Sequence, residues 1–361
     1  MTTQVMTSKE RALAAFAHRE PDRVPVDYSA NPGIDLRLKQ YYGLAADDHE
    51  GLLVSLGVDF RNVSGVPYTG PELFAPVEGR TVDIWGIHRR WVEHDSGGYW
   101  DYCDFPLRDA SLDDVERWPL PSPDDFDYTY VTEACRRWKD YCIIAGNAGV
   151  GDIINSTGMI RTMEQVLIDL ATANPIGLRY IDRKLEVTLE INRRILEAGR
   201  GMIDVFCMGE DLGTQIGPMI SVKLFRREIR PRLQKFIDLA KSYNLLVMFH
   251  SCGSSSWAFD DFIDMGVDII DTLQPEAAHM SPPYLKQRYG DRLAFHGCIS
   301  TGGPVAYGTV EDVVNNVRAT LEVMMPGGGY ALAPSHALQD NSPTENVVAM
   351  YAAAHQYGRY A

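Results

Sequence analysis

In the second half of the chain, short apolar, β-branched runs alternate with longer stretches whose apolar positions recur at helical spacing. That is the pattern of repeated strand–helix units on a parallel sheet. Eight runs are predicted as strands: Val24–Tyr28, Val58–Val63, Cys142–Asn147, Ile203–Cys207, Leu245–His250, Val267–Thr272, Leu293–Gly297 and Tyr330–Ala333. Each is followed by a helical stretch or by an insertion long enough to hold one. Eight such units close a (β/α)8 barrel, so the expected fold is an α/β TIM barrel. No internal repeat, low-complexity tract or Gly/Ser linker divides the sequence, and a single domain over residues 1–361 is expected.

Local signals refine this picture. Thr309 with Asp312 forms a capping-box pattern, and Pro343 in Ser342-Pro343-Thr344-Glu345 suits the first position of the last helix. Pro231 falls inside the helical segment Lys223–Tyr243, so that helix should be kinked or split. Between the second and third strands, residues 64–141 contain TVDIWGIHRRWVEH, GGYWDYC and the Pro- and Asp-rich PLPSPDDFDY. Aromatic strand-like runs around a Trp-Gly turn point to an inserted hairpin and loop rather than a second domain.

Composition narrows the class. A chain of 361 residues with 45% hydrophobic content can bury one large core. The N-terminal stretch has no apolar core of a secretion signal, and no apolar run reaches the roughly 18 residues of a membrane helix. Six scattered cysteines suit a reducing compartment better than a disulfide framework. A cytoplasmic protein with no membrane contact is therefore expected. The net charge of -15 argues against a nucleic-acid partner.

In a barrel of this kind chemistry gathers where the strands end. The residues found there are Asp27 and Tyr28; Asn147, with Asp152 and Asn155 beyond it; Glu210 and Asp211; His250 and Cys252; Gln274 and Glu276; His296 and Cys298; and His336. Taken singly, each could be a cap, a turn residue or a satisfied polar group. The run Val247-Met-Phe-His-Ser-Cys-Gly253 is more pointed, because residues two apart on a strand share a face. His250 and Cys252 would aim an imidazole and a thiol into one space, which is half of a zinc site. A buried histidine beside an inert core cysteine is the other reading. Asp211 could act as an acid or base, or cap the turn at Gly213, with Glu210 a weaker catalytic candidate. Asn147 and Asn155 are suited to positioning an oxygen, and Tyr28 to walling an apolar pocket. Asp27, Gln274 and His296 complete the candidate substrate contacts.

Several longer segments resemble the uroporphyrinogen decarboxylase superfamily, which includes cobalamin-linked methyltransferases: RALAAFAHREPDRVPVD, GEDLGTQIGPMIS, HSCG, VDIIDTLQPEA, GDRLAFHGCIST and PGGGYALAPSH with SPTENVVAMYAAAHQYG. True decarboxylases of this superfamily carry an arginine-rich segment after the first strand to hold the substrate's carboxylates. Here that place reads VDYSANPGIDLRLK, with no arginine before Arg37. The resemblance therefore leans to the methyltransferase branch, which presents zinc with H-x-C after the fifth strand and a cysteine after the eighth. His250 and Cys252 match, whereas His336 stands where that cysteine would be. Zinc accepts imidazole or thiolate, so His250, Cys252 and His336 form the expected ligand set with one position open. One thiolate and two imidazoles would leave a net positive centre suited to oxygen donors. A related methionine synthase carries an additional glutamate ligand after the sixth strand, which makes Glu276 a further ligand candidate.

The leading expectation is a zinc-dependent methyltransferase that moves a methyl group from a small methylated molecule, such as an O-methyl compound, to a corrinoid. The chain has no D-x-H-x-x-G cobalamin signature, so the corrinoid would arrive on a partner protein. A homodimer is compatible with this reading. A metal-free decarboxylase or lyase acting on a smaller acid, with Asp211 and His336 as acid-base groups, is the alternative. A non-catalytic binding barrel would leave the polar cluster at the strand ends without a purpose.

Overall fold

The computed structural model describes residues 6–94 and 97–360; residues 1–5, 95–96 and 361, which the single-domain expectation includes, lie outside the described residues. Its strands are β1 (Phe60–Asn62), β2 (Thr81–Val82), β3 (His88–His94), β4 (Gly97–Cys103), β5 (Cys142–Gly146), β6 (Val205–Gly209), β7 (Leu246–His250), β8 (Ile269–Thr272), β9 (Ala294–Ile299) and β10 (Tyr330–Pro334). Seven of them form one parallel sheet in the order β1-β5-β6-β7-β8-β9-β10, with helices between successive strands as in a TIM barrel. β5, β6, β9 and β10 are buried along their whole length. Strands covered on both faces read as the near-continuous apolar runs seen in the sequence.

The expected first strand, Val24–Tyr28, is the exception. Its place is taken by a segment with single parallel bridges from Val26 to Leu332 and from Ala30 to Leu338. Asp27 donates its N–H to the Leu332 carbonyl, and Leu332 donates to the Pro25 carbonyl, at 2.9 and 2.8 Å. On the other side, Asp59 donates to the Val26 carbonyl. The segment thus ties β10 to the approach to β1 without forming a ladder. Pro25 has no N–H to give, and the N–H of Val26 goes to the Asp59 carboxylate instead of a neighbouring carbonyl. That carboxylate is fully buried and also accepts from Arg11 and Arg23, both at 2.7 Å. The ion cluster fixes Asp27 at the mouth.

Segment 64–141 carries a separate antiparallel sheet in the order β2-β3-β4, with the Trp85-Gly86 turn joining β2 to β3. Gly86 has φ +80°, and a Cβ there would strike the Trp118 and Phe74 rings, so the turn requires glycine. The helix around Pro231 is split: Val222–Leu224 passes through a π-helical turn at Phe225–Ile229 into Arg230–Ser242. The widened turn absorbs the proline's conflict with the preceding carbonyl. The capping box of Thr309 and Asp312 is present, whereas Pro343 caps the last helix, Thr344–Tyr357, rather than opening it. Among the described residues no helix is long and apolar enough to cross a membrane.

Candidate metal and substrate site

β6 and β7 pair in register, with Gly209 opposite His250, so the loops that follow them run side by side. Glu210 donates to the His250 carbonyl and Ser254 to the Thr214 carbonyl, at 3.0 and 2.8 Å. Gly253 has φ +69°, and a Cβ there would lie 2.5 Å from the Gly213 carbonyl oxygen. Only glycine lets the two loops stack this closely. The stacking delivers Asp211 to Cys252, whose backbone N–H donates to Asp211 Oδ1 at 2.8 Å. Asn155 Nδ2 holds the other carboxylate oxygen at 2.8 Å.

His250 ends β7, and its Nδ1 lies 2.6 Å from Asp271 Oδ2 on β8. That bond assigns the proton to Nδ1 and leaves Nε2 as the free donor atom. Nε2 sits 3.4 Å from Cys252 Sγ and 3.8 Å from Asp211 Oδ1. One ligand atom from each of Asp211, His250 and Cys252 lies within 4.8 Å of the other two. Tetrahedral zinc with bonds of about 2.0–2.3 Å separates its ligand atoms by roughly 3.3–3.7 Å. Nitrogen, thiol sulfur and carboxylate oxygen are all zinc donors, so this trio fits the ion in both spacing and chemistry. Burial and the Asp211 carboxylate raise the Cys252 thiol above its ordinary value, while His250 works against them. A cation would displace that proton to gain the thiolate.

Behind His250 runs a chain of alternating acids and imidazoles. The second oxygen of Asp271 lies 2.6 Å from His296 Nδ1, and His296 Nε2 lies 3.1 Å from Asp27 Oδ2. Burial opposes charge on His296, but the hydrogen bonds and charges of Asp27 and Asp271 outweigh it and raise the imidazole from 6.5 to about 10. Burial likewise opposes charge on Asp271, and the two histidines hold it well below the carboxylate range. Because the folded value of His296 lies above the ordinary one, its charge stabilises the fold fully below pH 6.5, and that contribution is lost as pH rises through about 10. In urea unfolding of metal-free protein, the wild type should lose stability over this range relative to His296→Gln. Parallel stability profiles would contradict the assignment.

Two cavities meet at His250. One, of about 610 Å3, is lined by Asp27, Tyr28, Asn147, Asp271, His296 and His336 among others. The other, of about 530 Å3, is lined by Asp152, Asn155 and Asp211 together with apolar residues. His336 is exposed, with Nδ1 3.4 Å from Gln339 Nε2, and stands outside the group formed by Asp211, His250 and Cys252. Glu276 is exposed and lines neither cavity, and Gln274 bonds to Gln215 at 3.0 Å away from both. Glu210 is 1% exposed and accepts the N–H groups of Ile153 and Ile154, which fixes the start of helix Ile154–Arg161. Burial and the neighbouring Asp152 raise its carboxyl well above the usual range. Tyr28 bonds to Asp35 at 3.4 Å, and burial raises its phenol.

Asp271 was not among the sequence candidates, because it lies within a strand rather than just after one. The available signal was the second aspartate of VDIIDT, a carboxylate directly after two buried isoleucines in a strand paired along both edges.

The uroporphyrinogen decarboxylase (URO-D) family model matches residues 102–357. Over 97% of its length the chain is 27% identical to the methylcobamide:CoM methyltransferase MtaA of Methanosarcina barkeri, covering 98% of that protein. It is 24% identical to the uroporphyrinogen decarboxylase of Alkalilimnicola ehrlichii, with 96% and 93% of the two chains covered. A methyltransferase from Methanosarcina mazei superposes with a TM-score of 0.66 over 98% of this chain and 99% of its own, at 20% identity, which places the two in one fold.

Proposed function

The chain belongs to the uroporphyrinogen decarboxylase (URO-D) family, closer to its methyltransferase branch than to true uroporphyrinogen decarboxylases, and we propose that it is a zinc-dependent methyltransferase. It moves a methyl group from a small methylated molecule to a corrinoid carried by a partner protein. The observation that carries this reading is the convergence of Asp211 and Cys252 on His250, the side chain at which the two cavities meet. Those three residues would hold the zinc, and the ion would supply a Lewis acid for the substrate's oxygen or sulfur. With two anionic ligands the site is electrically neutral. It therefore differs from the positive centre expected of His250, Cys252 and His336, and it has no pull of its own on anions.

The protein groups divide the remaining work. Asp271 locks the His250 ring, Asn155 and the Cys252 N–H fix the Asp211 carboxylate, and His296 balances the charge of Asp271 between two acids. His336 and Asn147 face the larger cavity. That cavity does not resemble a clamp for a polycarboxylate. Its only arginine among the described residues, Arg61, is held by Glu50 at 2.7 Å and by two backbone carbonyls, and it stacks on Tyr141. Asp27 and Asp271 add negative charge.

The test supplies zinc-loaded protein with cob(I)alamin and a panel of O-, S- and N-methyl compounds. The cobalamin absorption spectrum is followed anaerobically. Zinc-dependent appearance of methylcobalamin with at least one compound is expected. Zinc-independent turnover of a carboxylic acid, with no methyl transfer, would move the assignment to the decarboxylase-like alternative.

A further inference from the structure

The two cavities that meet at His250 differ in chemistry. The larger carries the ionisable groups Asp27, Asp271, His296 and His336 beside apolar residues such as Phe60, Trp138 and Met248. The cavity of about 530 Å3 has an apolar body formed by Tyr102 of β4, Phe105 just after it, and Met159 and Met163 of the two helices that follow β5. Gly149 and Gly158 also line it, and a Cβ on Gly158 would press on the Met163 backbone at 3.3 Å. Its volume falls within the roughly 300–1,000 Å3 of small-molecule sites. Asp152, Asn155, Asp211 and His250 form its polar wall, Tyr102 adds a hydroxyl, and no arginine or lysine lines it among the described residues.

We infer that this second cavity binds a neutral aromatic molecule bearing a free hydroxyl, with the ring between Tyr102, Phe105 and the two methionines and the hydroxyl toward Asp152. The inference rests on the proposed methyl transfer and names its small substrate's class. Aromatic rings favour aromatic partners in edge or offset contact, and thioether sulfur favours ring edges. Both kinds of group converge here. The polar wall offers a free acceptor. Asp152 Oδ1 takes the N–H groups of Asn155 and Ser156 at 3.0 and 3.2 Å, leaving Oδ2 without a donor among the described residues. A substrate hydroxyl can fill that vacancy. Burial raises the Asp152 carboxyl to about 6, against the pull of Lys184, so near neutral pH it remains mostly an acceptor. In the metal-free protein the Asp152 and Asp211 carboxylates oppose a carboxylate ligand, and no arginine or lysine lines the cavity among the described residues to hold one. The cavity also lies on the Asp211 side of the donor trio, so an oxygen held at the polar wall would stand beside the residues that hold zinc.

Phenol and benzoate are suitable probes, titrated by calorimetry and by ligand-observed NMR into zinc-loaded and metal-free protein. Phenol should bind both forms, and benzoate should bind the metal-free form at least about tenfold more weakly than phenol does. Tyr102→Ala and Met163→Ala should each weaken phenol by about 3- to 10-fold, the worth of one aromatic or sulfur–aromatic contact. Both side chains are more than a third exposed, so these truncations should leave the fold intact. Ala337→Leu, which narrows only the larger cavity, should leave phenol binding unchanged. Equal binding of both probes to the metal-free form, no binding of phenol, or phenol binding abolished by Ala337→Leu and untouched by Tyr102→Ala would overturn the assignment. Methyl transfer without phenol binding would sink this inference alone. Phenol binding without any methyl transfer would sink only the proposed function.

Discussion

Cys252→Ala should bind zinc at least about 100-fold more weakly than the wild type, since loss of a group merely supporting a ligand already costs about 10- to 100-fold. The thiol contributes the trio's sulfur donor, and no other cysteine belongs to the group. Folding should survive, because Cys252 is half-buried and the Asp211 bond it makes uses its backbone N–H rather than its side chain. Circular dichroism and thermal unfolding of the metal-free forms check this, and metal analysis after dialysis against a weak chelator reads the affinity. His336→Ala belongs beside it. An exposed imidazole outside the donor group should be dispensable for zinc. A His336→Ala protein that loses its zinc as readily as Cys252→Ala would restore His336 as a ligand.

Asp211→Asn should combine two losses. The amide is a neutral and poorer zinc donor, and its single oxygen cannot serve both the Cys252 N–H and the Asn155 amide as the carboxylate does. Zinc affinity should fall by about 10- to 100-fold. Methyl transfer with zinc in excess should fall by about 10²- to 10⁴-fold, the scale of losing a positioned acid, base or charge at a reacting centre. The side chain is 25% exposed, so the variant should fold. A variant with full zinc content and full turnover would make Asp211 only a bracket for the loop after β7.

How far these residues can be read from sequence follows from what fixes their positions. Seven of the eight expected strands are found within about two residues of their predicted bounds, because buried parallel strands must be continuous apolar runs. Val24–Tyr28 reads the same way, but Pro25 and the Asp59 carboxylate divert its hydrogen bonds, and that depends on a partner 33 residues away. His250 and Cys252 were legible together because a period of two is local. Their third companion was not. Asp211 reaches Cys252 through the β6–β7 register and the glycine contact of Gly253 with Gly213, neither of which leaves a local mark. His336 and Glu276 stand at comparable strand ends in sequence, yet both side chains are exposed and neither belongs to the donor group. Asp271 escaped notice because the search fell on residues after the strands, while this carboxylate lies inside β8 and reaches His250 and His296 on both neighbours.

Zinc-edge X-ray absorption on protein purified without added metal, read with its zinc content, bears most directly on the site. The expected result is about one zinc per chain with a single sulfur near 2.3 Å and nitrogen or oxygen neighbours near 2.0–2.2 Å, the shell that Cys252, His250 and Asp211 would provide. A protein that refuses zinc and still turns over its substrate, or a bound zinc with no sulfur neighbour, would contradict it.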